Sequence, residues 1–243
     1  MQDANLAALR AEYAGKPAEE RRMAAEWEYD SSIADRMFNE ALARAGQTGL
    51  GEQHWPDGVL ALAIDPLYAP AILTVGSLEY QLGRPDAALE LFLTLATLPA
   101  SEPDLPVIID KAGDFLFDQK DYDRARELYA AAEKAFSDVA AYPVGLSYCL
   151  GKLGLHIEAV AKARRAEQLE PENYLRLNDL GWTLYQAGHL AEALSTLRRA
   201  VSLAPPDYDL ASNNLAEVQR ALQRKKRTGR RRTRSASARS RNG

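Results

Sequence analysis

The chain has 243 residues, 47% of them hydrophobic, with one cysteine and three histidines, which excludes a wholly disordered chain and an intrachain disulfide framework. Its 30 basic and 34 acidic residues nearly cancel, but residues 224–243 hold 10 of the bases and none of the acids, leaving an acidic body at −14 with a strongly basic end. Met1 to Lys16 is polar and no run of about 18 apolar residues occurs, so neither a signal peptide nor a membrane span is expected, and the location expected is cytoplasmic.

Residues 1–30 read as an N-terminal helical segment. Pro17 suits a first helical turn, and Met23, Ala24 and Trp27 share an apolar side between Pro17 and Tyr29. Residues 31–66 read as a degenerate first helical hairpin. Gly49 lies 34 residues before Gly83, and Ala61 and Pro66 keep the same phase, although His54 stands where alanine is expected.

Four clear hairpins follow over 67–205. The first pairs Leu73–Leu82 with Asp86–Leu98, and the second pairs Ile108–Gln119 with Tyr122–Phe136. The third pairs Tyr142–Leu153 with Ile157–Leu169, and the fourth Leu175–Ala187 with Leu190–Leu203. Ala88, Ala125, Ala159 and Ala193 are 37, 34 and 34 residues apart, with Gly83, Gly154 and Gly188 in phase at the turns. Gly76, Gly113, Ser147 and Gly181 are small residues in the first helices that permit close helix approach. Phe92, Tyr129 and Leu197 are their bulky counterparts in the second helices, and Pro171 and Pro205 stop the third and fourth hairpins. Lys120 replaces the turn glycine of the second copy, and the 37-residue step places a longer loop near Leu98 to Pro106.

Residues 206–223 read as a C-terminal capping helix, Leu210–Leu222, with charged residues between its apolar positions, as the end of a repeat array requires. Residues 224–243 combine Arg, Ser, Thr and Gly with no aliphatic side chain beyond Ala236 and Ala238. Such a segment buries too little apolar area to offset its ordering entropy and is expected to be a disordered basic tail.

Leu180-Gly181, Tyr185, Gly188, Ala193, Ala200 and Pro205, with Asp65-Pro66-Leu67-Tyr68 opening the first good copy, resemble the tetratricopeptide repeat family across Asp65 to Pro205. The resemblance implies an all-α, right-handed solenoid of helical hairpins whose first helices line a concave, partner-binding groove. Carried onto this chain, that groove contains Leu73, Ser77, Tyr80 and Gln81, then Asp110, Asp114, Phe117 and Asp118. Tyr148 and Lys152 follow, then Asn178, Trp182, Tyr185 and Gln186, with Asn213, Glu217 and Arg220 on the cap helix. Some members of the family clamp a partner's C-terminal carboxylate with Lys, Arg and Asn, but the corresponding face here carries Asp110 and Asp114.

The chemistry of these residues points to binding. The histidines, His54, His156 and His189, sit singly near turns, no phosphate loop or GxSxG or HExxH motif occurs, and Cys149 lies in an apolar helix without a nearby base. No catalytic residue, metal or cofactor is therefore expected. Aromatic side chains offer large contact area at low rotamer cost, and the carboxylates of Asp110, Asp114 and Asp118, spaced by four, would attract a basic peptide. The function expected is a non-catalytic scaffold or adaptor that binds a protein or peptide. The alternative rests on the tail: Arg224, Lys225, Lys226, Arg227, Arg230, Arg231, Arg232 and Arg234 could bind RNA or DNA nonspecifically, acidic lipid, an acidic protein or the chain's own body.

Overall fold

A computed structural model of the chain describes residues 2–44 and 58–239, and every regular element in them is a helix. The helices fall into two units divided after Phe136.

In the first unit, α1 (Gln2–Tyr13), α2 (Ala18–Arg44) and the short α3 (Val59–Ile64) precede two hairpins, α4 (Ala69–Gln81) with α5 (Pro85–Leu95) and α6 (Leu105–Asp118) with α7 (Tyr122–Ala135). α2 runs unbroken through residue 30, where the helical segment and a first hairpin were expected to divide. The rest of that expected hairpin's turn, with Gly49 and His54, lies outside the described residues. The buried side of α2 also differs from the one its composition indicates. Met23 and Trp27 are 60% and 70% exposed, whereas Ala25 is fully buried against Ala61, Ile64, Tyr68 and Ala71. Arg22 and Tyr29, which flank Ala25, can face inward because each finds a partner. The Tyr29 hydroxyl lies 2.7 Å from Thr74 Oγ1, its ring meets Tyr68 edge-on, and Arg22 Nη1 donates to Glu102 Oε2.

α4 and α6 begin earlier than hydrophobic periodicity marks, because Pro70 and Pro106 occupy first-turn positions where a missing N–H leaves no bond unmade. Nine residues, 96–104, join α5 to α6, which is where the 37-residue step places its additional residues.

In the second unit, α8 (Ala141–Lys152) pairs with α9 (His156–Leu169) and α10 (Tyr174–Gln186) with α11 (Leu190–Leu203), and α12 (Asp209–Arg239) packs on the last pair. Ala211, Leu215, Val218 and Leu222 of α12 cover Leu177, Leu184 and Leu197. The helix does not end there. It continues through residues 224–239, where a disordered tail was expected, since Arg and Lys are good helix formers and cations near a helix C-terminus complement its dipole.

All four hairpins close alike. In each, the N–H of the residue two past the C-cap reaches back five residues, from Arg84 to Glu79, Asp121 to Leu116, Leu155 to Leu150 and His189 to Leu184. The residue before that donor takes a left-handed conformation: Gly83, Gly154 and Gly188 at φ 78°, 78° and 81°, and Lys120 at φ 63°. Lysine there accepts a conformation that glycine adopts freely.

Within the hairpins, hole and knob are matched in size. A methyl at Gly76 would overlap the Phe92 ring, one at Gly113 the Tyr129 ring, and one at Gly181 would stand 2.5 Å from Leu197 Cγ. In α8 the hole is already filled by Ser147, and the residue of α9 in phase with those knobs is Ala163, itself buried. Each small first-helix residue thus admits a large partner, and the one larger residue is matched by a small one, so packing density is conserved while composition varies.

Candidate functional site

The first helices of the hairpins position the side chains expected to bind. On α4, Ser77 is half-buried with its hydroxyl donating 2.8 Å to the Leu73 carbonyl, and Gln81 is exposed. Tyr80 is half-buried as well, but its ring packs edge-on against Phe115 at 5.5 Å and its hydroxyl donates to Asp121 Oδ2 at 3.2 Å. Asp121 also caps α7 and pairs with Arg124, which bridges on to Asp86. Tyr80 therefore ties one hairpin to the next, and burial with the nearby Asp121 carboxylate holds its hydroxyl above the ordinary tyrosine range.

On α6, Asp114 and Asp118 are exposed and Asp110 is half-buried. Like charges at this spacing repel, and the structure supplies a compensation from below. Tyr129, seated over Gly113 in the core, sends its hydroxyl up between the acids, 3.1 Å from Asp110 Oδ1 and 3.2 Å from Asp114 Oδ1. One hydroxyl proton serves two carboxylates. Desolvation raises the Asp114 pKa, against the lowering by the Tyr129 hydrogen bond, and burial beside the two acids pushes Tyr129 far above its usual value. Phe117 turns its ring to Tyr122 at 5.1 Å, within its own hairpin.

In the second unit, α8, α10 and α12 lie side by side and are cross-linked through side chains. Tyr148 is 40% exposed while its hydroxyl donates 2.6 Å to Asp179 Oδ1, and Arg176 approaches the other carboxylate oxygen at 3.6 Å. Burial still raises the Asp179 pKa against these partners. Ser147 and Thr183 hydroxyls meet at 3.2 Å in the core. Asn178 is buried, and its Oδ1 accepts from Asn214 Nδ2 at 2.9 Å, so its amide oxygen serves the α10–α12 contact. Trp182 and Tyr185 are half-buried with rings 5.1 Å apart, and the Tyr185 hydroxyl points to Glu217 Oε1 at 3.5 Å. Glu217 also pairs with Arg220 and Arg224. Lys152, Gln186 and Asn213 are exposed.

The expected face thus divides in two. Tyr80, Phe117, Asn178 and Tyr185 join helices, whereas Gln81, Asp114, Asp118, Tyr148, Lys152, Gln186 and Asn213 present surface, with Trp182 at its margin. Sequence reasoning missed Tyr129, Asp179, Arg176 and Asn214. Periodicity marks Tyr129 as a core knob and carries no sign that its polar tip surfaces among acids.

Arg224, Lys225 and Arg227 are exposed on α12, and Lys226 and Arg230 to Arg234 lie on its helical backbone. Cys149 is buried, and His156 and His189 are exposed at the starts of α9 and α11. Among the described residues no three His, Cys, Asp or Glu side chains gather as a metal site, and no helix is long and apolar enough to cross a membrane.

No curated protein matches the chain. The tetratricopeptide repeat profile matches residues 111–174 and 178–227. Similar solved structures include the first such domain of human RPAP3, at 22% identity, covering 51% of this chain and 98% of that one with a TM-score of 0.47. The first TPR of Spaghetti (RPAP3) bound to an HSP90 peptide is 21% identical, covering 48% and 92% with a TM-score of 0.44. MamA is 17% identical, covering 60% and 84% with a TM-score of 0.46. The profile match lies over hairpins closed by one shared turn and filled by size-matched pairs, so residues 111–174 and 178–227 are tetratricopeptide repeats.

Proposed function

We propose that the protein is a non-catalytic scaffold that holds a peptide or an extended protein segment against the exposed faces of its first helices. One observation carries this reading: packing consumes the residues that define the repeat and leaves an aromatic, amide and charged set at the surface of the same helices. In the second unit that set is Tyr148, Lys152, Trp182, Gln186 and Asn213 on three neighbouring helices. Tyr148 is pre-oriented by its bond to Asp179, so its ring is fixed before a ligand arrives and less entropy is lost on contact. Side-chain amides at Gln186 and Asn213 both donate and accept, which suits a peptide backbone.

In the first unit, taken by itself, α6 sets a charge preference of its own. Asp110, Asp114 and Asp118 favour a segment bearing Lys or Arg and disfavour an acidic peptide at that place. Selection of displayed random peptides on the purified full chain, followed by calorimetric titration of a selected peptide, tests the assignment. Trp182→Ala is expected to weaken binding by about tenfold or more, as removal of a buried aromatic anchor does. Unchanged affinity in a Trp182→Ala, Lys152→Ala chain that melts normally would place binding elsewhere.

A further inference from the structure

Ten of the protein's 30 Lys and Arg residues lie in residues 224–243, past the last apolar contact of α12. The apolar stripe that fixes α12 to its neighbours runs through Ala211, Leu215, Val218 and Leu222. Extending that spacing along the helix reaches Lys225 or Lys226, Gly229, Thr233 and then only the small Ala236. No apolar seam continues, yet the helix persists to Arg239.

We propose that this extension, residues 224–239, is a nucleic-acid-binding surface that grips the phosphate backbone without reading base sequence. Nine of its sixteen residues are Arg or Lys and none is acidic, and Arg224 at its start pairs with Glu217 two turns earlier. As a helix it is about 24 Å long, which spaces its cations at roughly 2.7 Å along the axis. Nucleic acid offers a charge about every 3.4 Å along each strand, a density that no ordinary protein surface matches. Like charges recur at helical neighbours, including Lys226 with Arg230, Arg227 with Arg231 and Arg230 with Arg234. Each such pair weakens the isolated helix, and a polyanion laid along it reverses the sign.

Composition separates phosphate from other anionic partners. Seven of the nine cations are Arg, whose planar fork binds phosphate through paired N–H donors. Thr228, Thr233, Ser235 and Ser237 interleave hydroxyl donors of the kind that contact phosphate oxygens. A membrane surface would use an apolar face, which the stripe positions beyond Leu222 lack. Aromatic residues are absent from the segment, so base stacking adds nothing and sequence preference should be weak.

The test uses the full chain with a fluorescent thymidine homopolymer of about 30 nucleotides and a mixed-sequence duplex of equal length. Both are expected to bind with similar affinity. With about four phosphates engaged on one side of the helix, duplex affinity falls roughly 10²-fold between about 50 and 200 mM salt, and less steeply for the single strand. Replacing Arg230, Arg231, Arg232 and Arg234 together by Gln should lower affinity at least tenfold and flatten the salt dependence, while the same four changed to Lys should keep the slope. A chain ending at Gln223, which retains the whole apolar stripe, should lose binding at an unchanged melting temperature. Binding that survives both the Gln variant and the truncation, or absent binding at low salt, overturns the proposal. So does tighter binding to phosphatidylserine vesicles than to either nucleic acid at equal salt, or tail-dependent self-association alone. The surface is independent of the peptide-binding face, so Trp182→Ala should leave nucleic-acid affinity unchanged.

Discussion

The α6/α7 hairpin of the first unit and the α10/α11 hairpin of the second solve one packing problem with different chemistry. Both leave a glycine hole in the first helix, at Gly113 and Gly181, and both fill it from the second helix. Leu197 fills its hole with an apolar side chain that ends in the core. Tyr129 fills the other with a ring whose hydroxyl emerges between Asp110 and Asp114. A repeat therefore specifies the shape of the slot, and the side chain placed there decides whether the core is coupled to the surface.

The largest expected effect comes from emptying the coupled slot. Tyr129→Ala removes a buried aromatic together with the hydroxyl shared by Asp110 and Asp114, and should cost about 3 to 5 kcal/mol in denaturant unfolding. Filling the other slot is the converse experiment. Gly181→Val drives a side chain into Leu197 and should cost about 1 to 3 kcal/mol, and combining it with Leu197→Ala should recover part of that loss. A simple sum of the two penalties would show that the hole and knob do not act as a pair.

Tyr129→Phe sharpens the contrast by keeping the ring and deleting only the bridge. The expected cost is about 1 kcal/mol. The pH response is the more specific readout. Although Asp114 reaches solvent, partial desolvation of its carboxyl and the like charge of Asp118 raise its pKa in the folded state, so the native protein holds the proton longer than the unfolded chain and stability falls as pH rises from about 4 through the folded pKa. The Tyr129 hydrogen bond opposes that shift, so Tyr129→Phe should move the Asp114 carboxyl titration further upward by NMR and steepen the decline. Asp114→Asn should remove that part of the decline. A titration that does not move in Tyr129→Phe would mean the hydroxyl does not engage Asp114 in solution.

How much of this was legible in the sequence depends on what holds each residue. The hairpins were, because alanine, glycine and bulky residues recur wherever backbones must approach, and Gly76 with Phe92 or Gly181 with Leu197 needs no knowledge of distant partners. The buried side of α2 was not. Hydrophobicity selects Met23 and Trp27, but Arg22 and Tyr29 face inward because Glu102 and Thr74, far along the chain, satisfy their polar ends. Asn178 misled for the same reason: its partner, Asn214, lies 36 residues away on α12. The basic segment beyond Gln223 was read from burial alone, which predicts disorder, whereas helix propensity and continuity with α12 extend the helix.

The smallest effect expected distinguishes the two hairpins at their turns. Both close with the same return bond, reaching back five residues, but Gly188 occupies the left-handed position in one and Lys120 in the other. The side chain at Lys120 clashes locally with its own backbone in that conformation, so Lys120→Gly relieves strain. It also adds conformational freedom to the unfolded chain, which opposes the gain. The strain term, about 1 kcal/mol or more, exceeds the entropy term, and a net stabilisation of about 0.5 kcal/mol should follow. The reciprocal change, Gly188→Ala, adds the strain and should destabilise by about 1 kcal/mol. If both variants shift the unfolding midpoint in the same direction, the shared geometry is not what sets the cost of these turns.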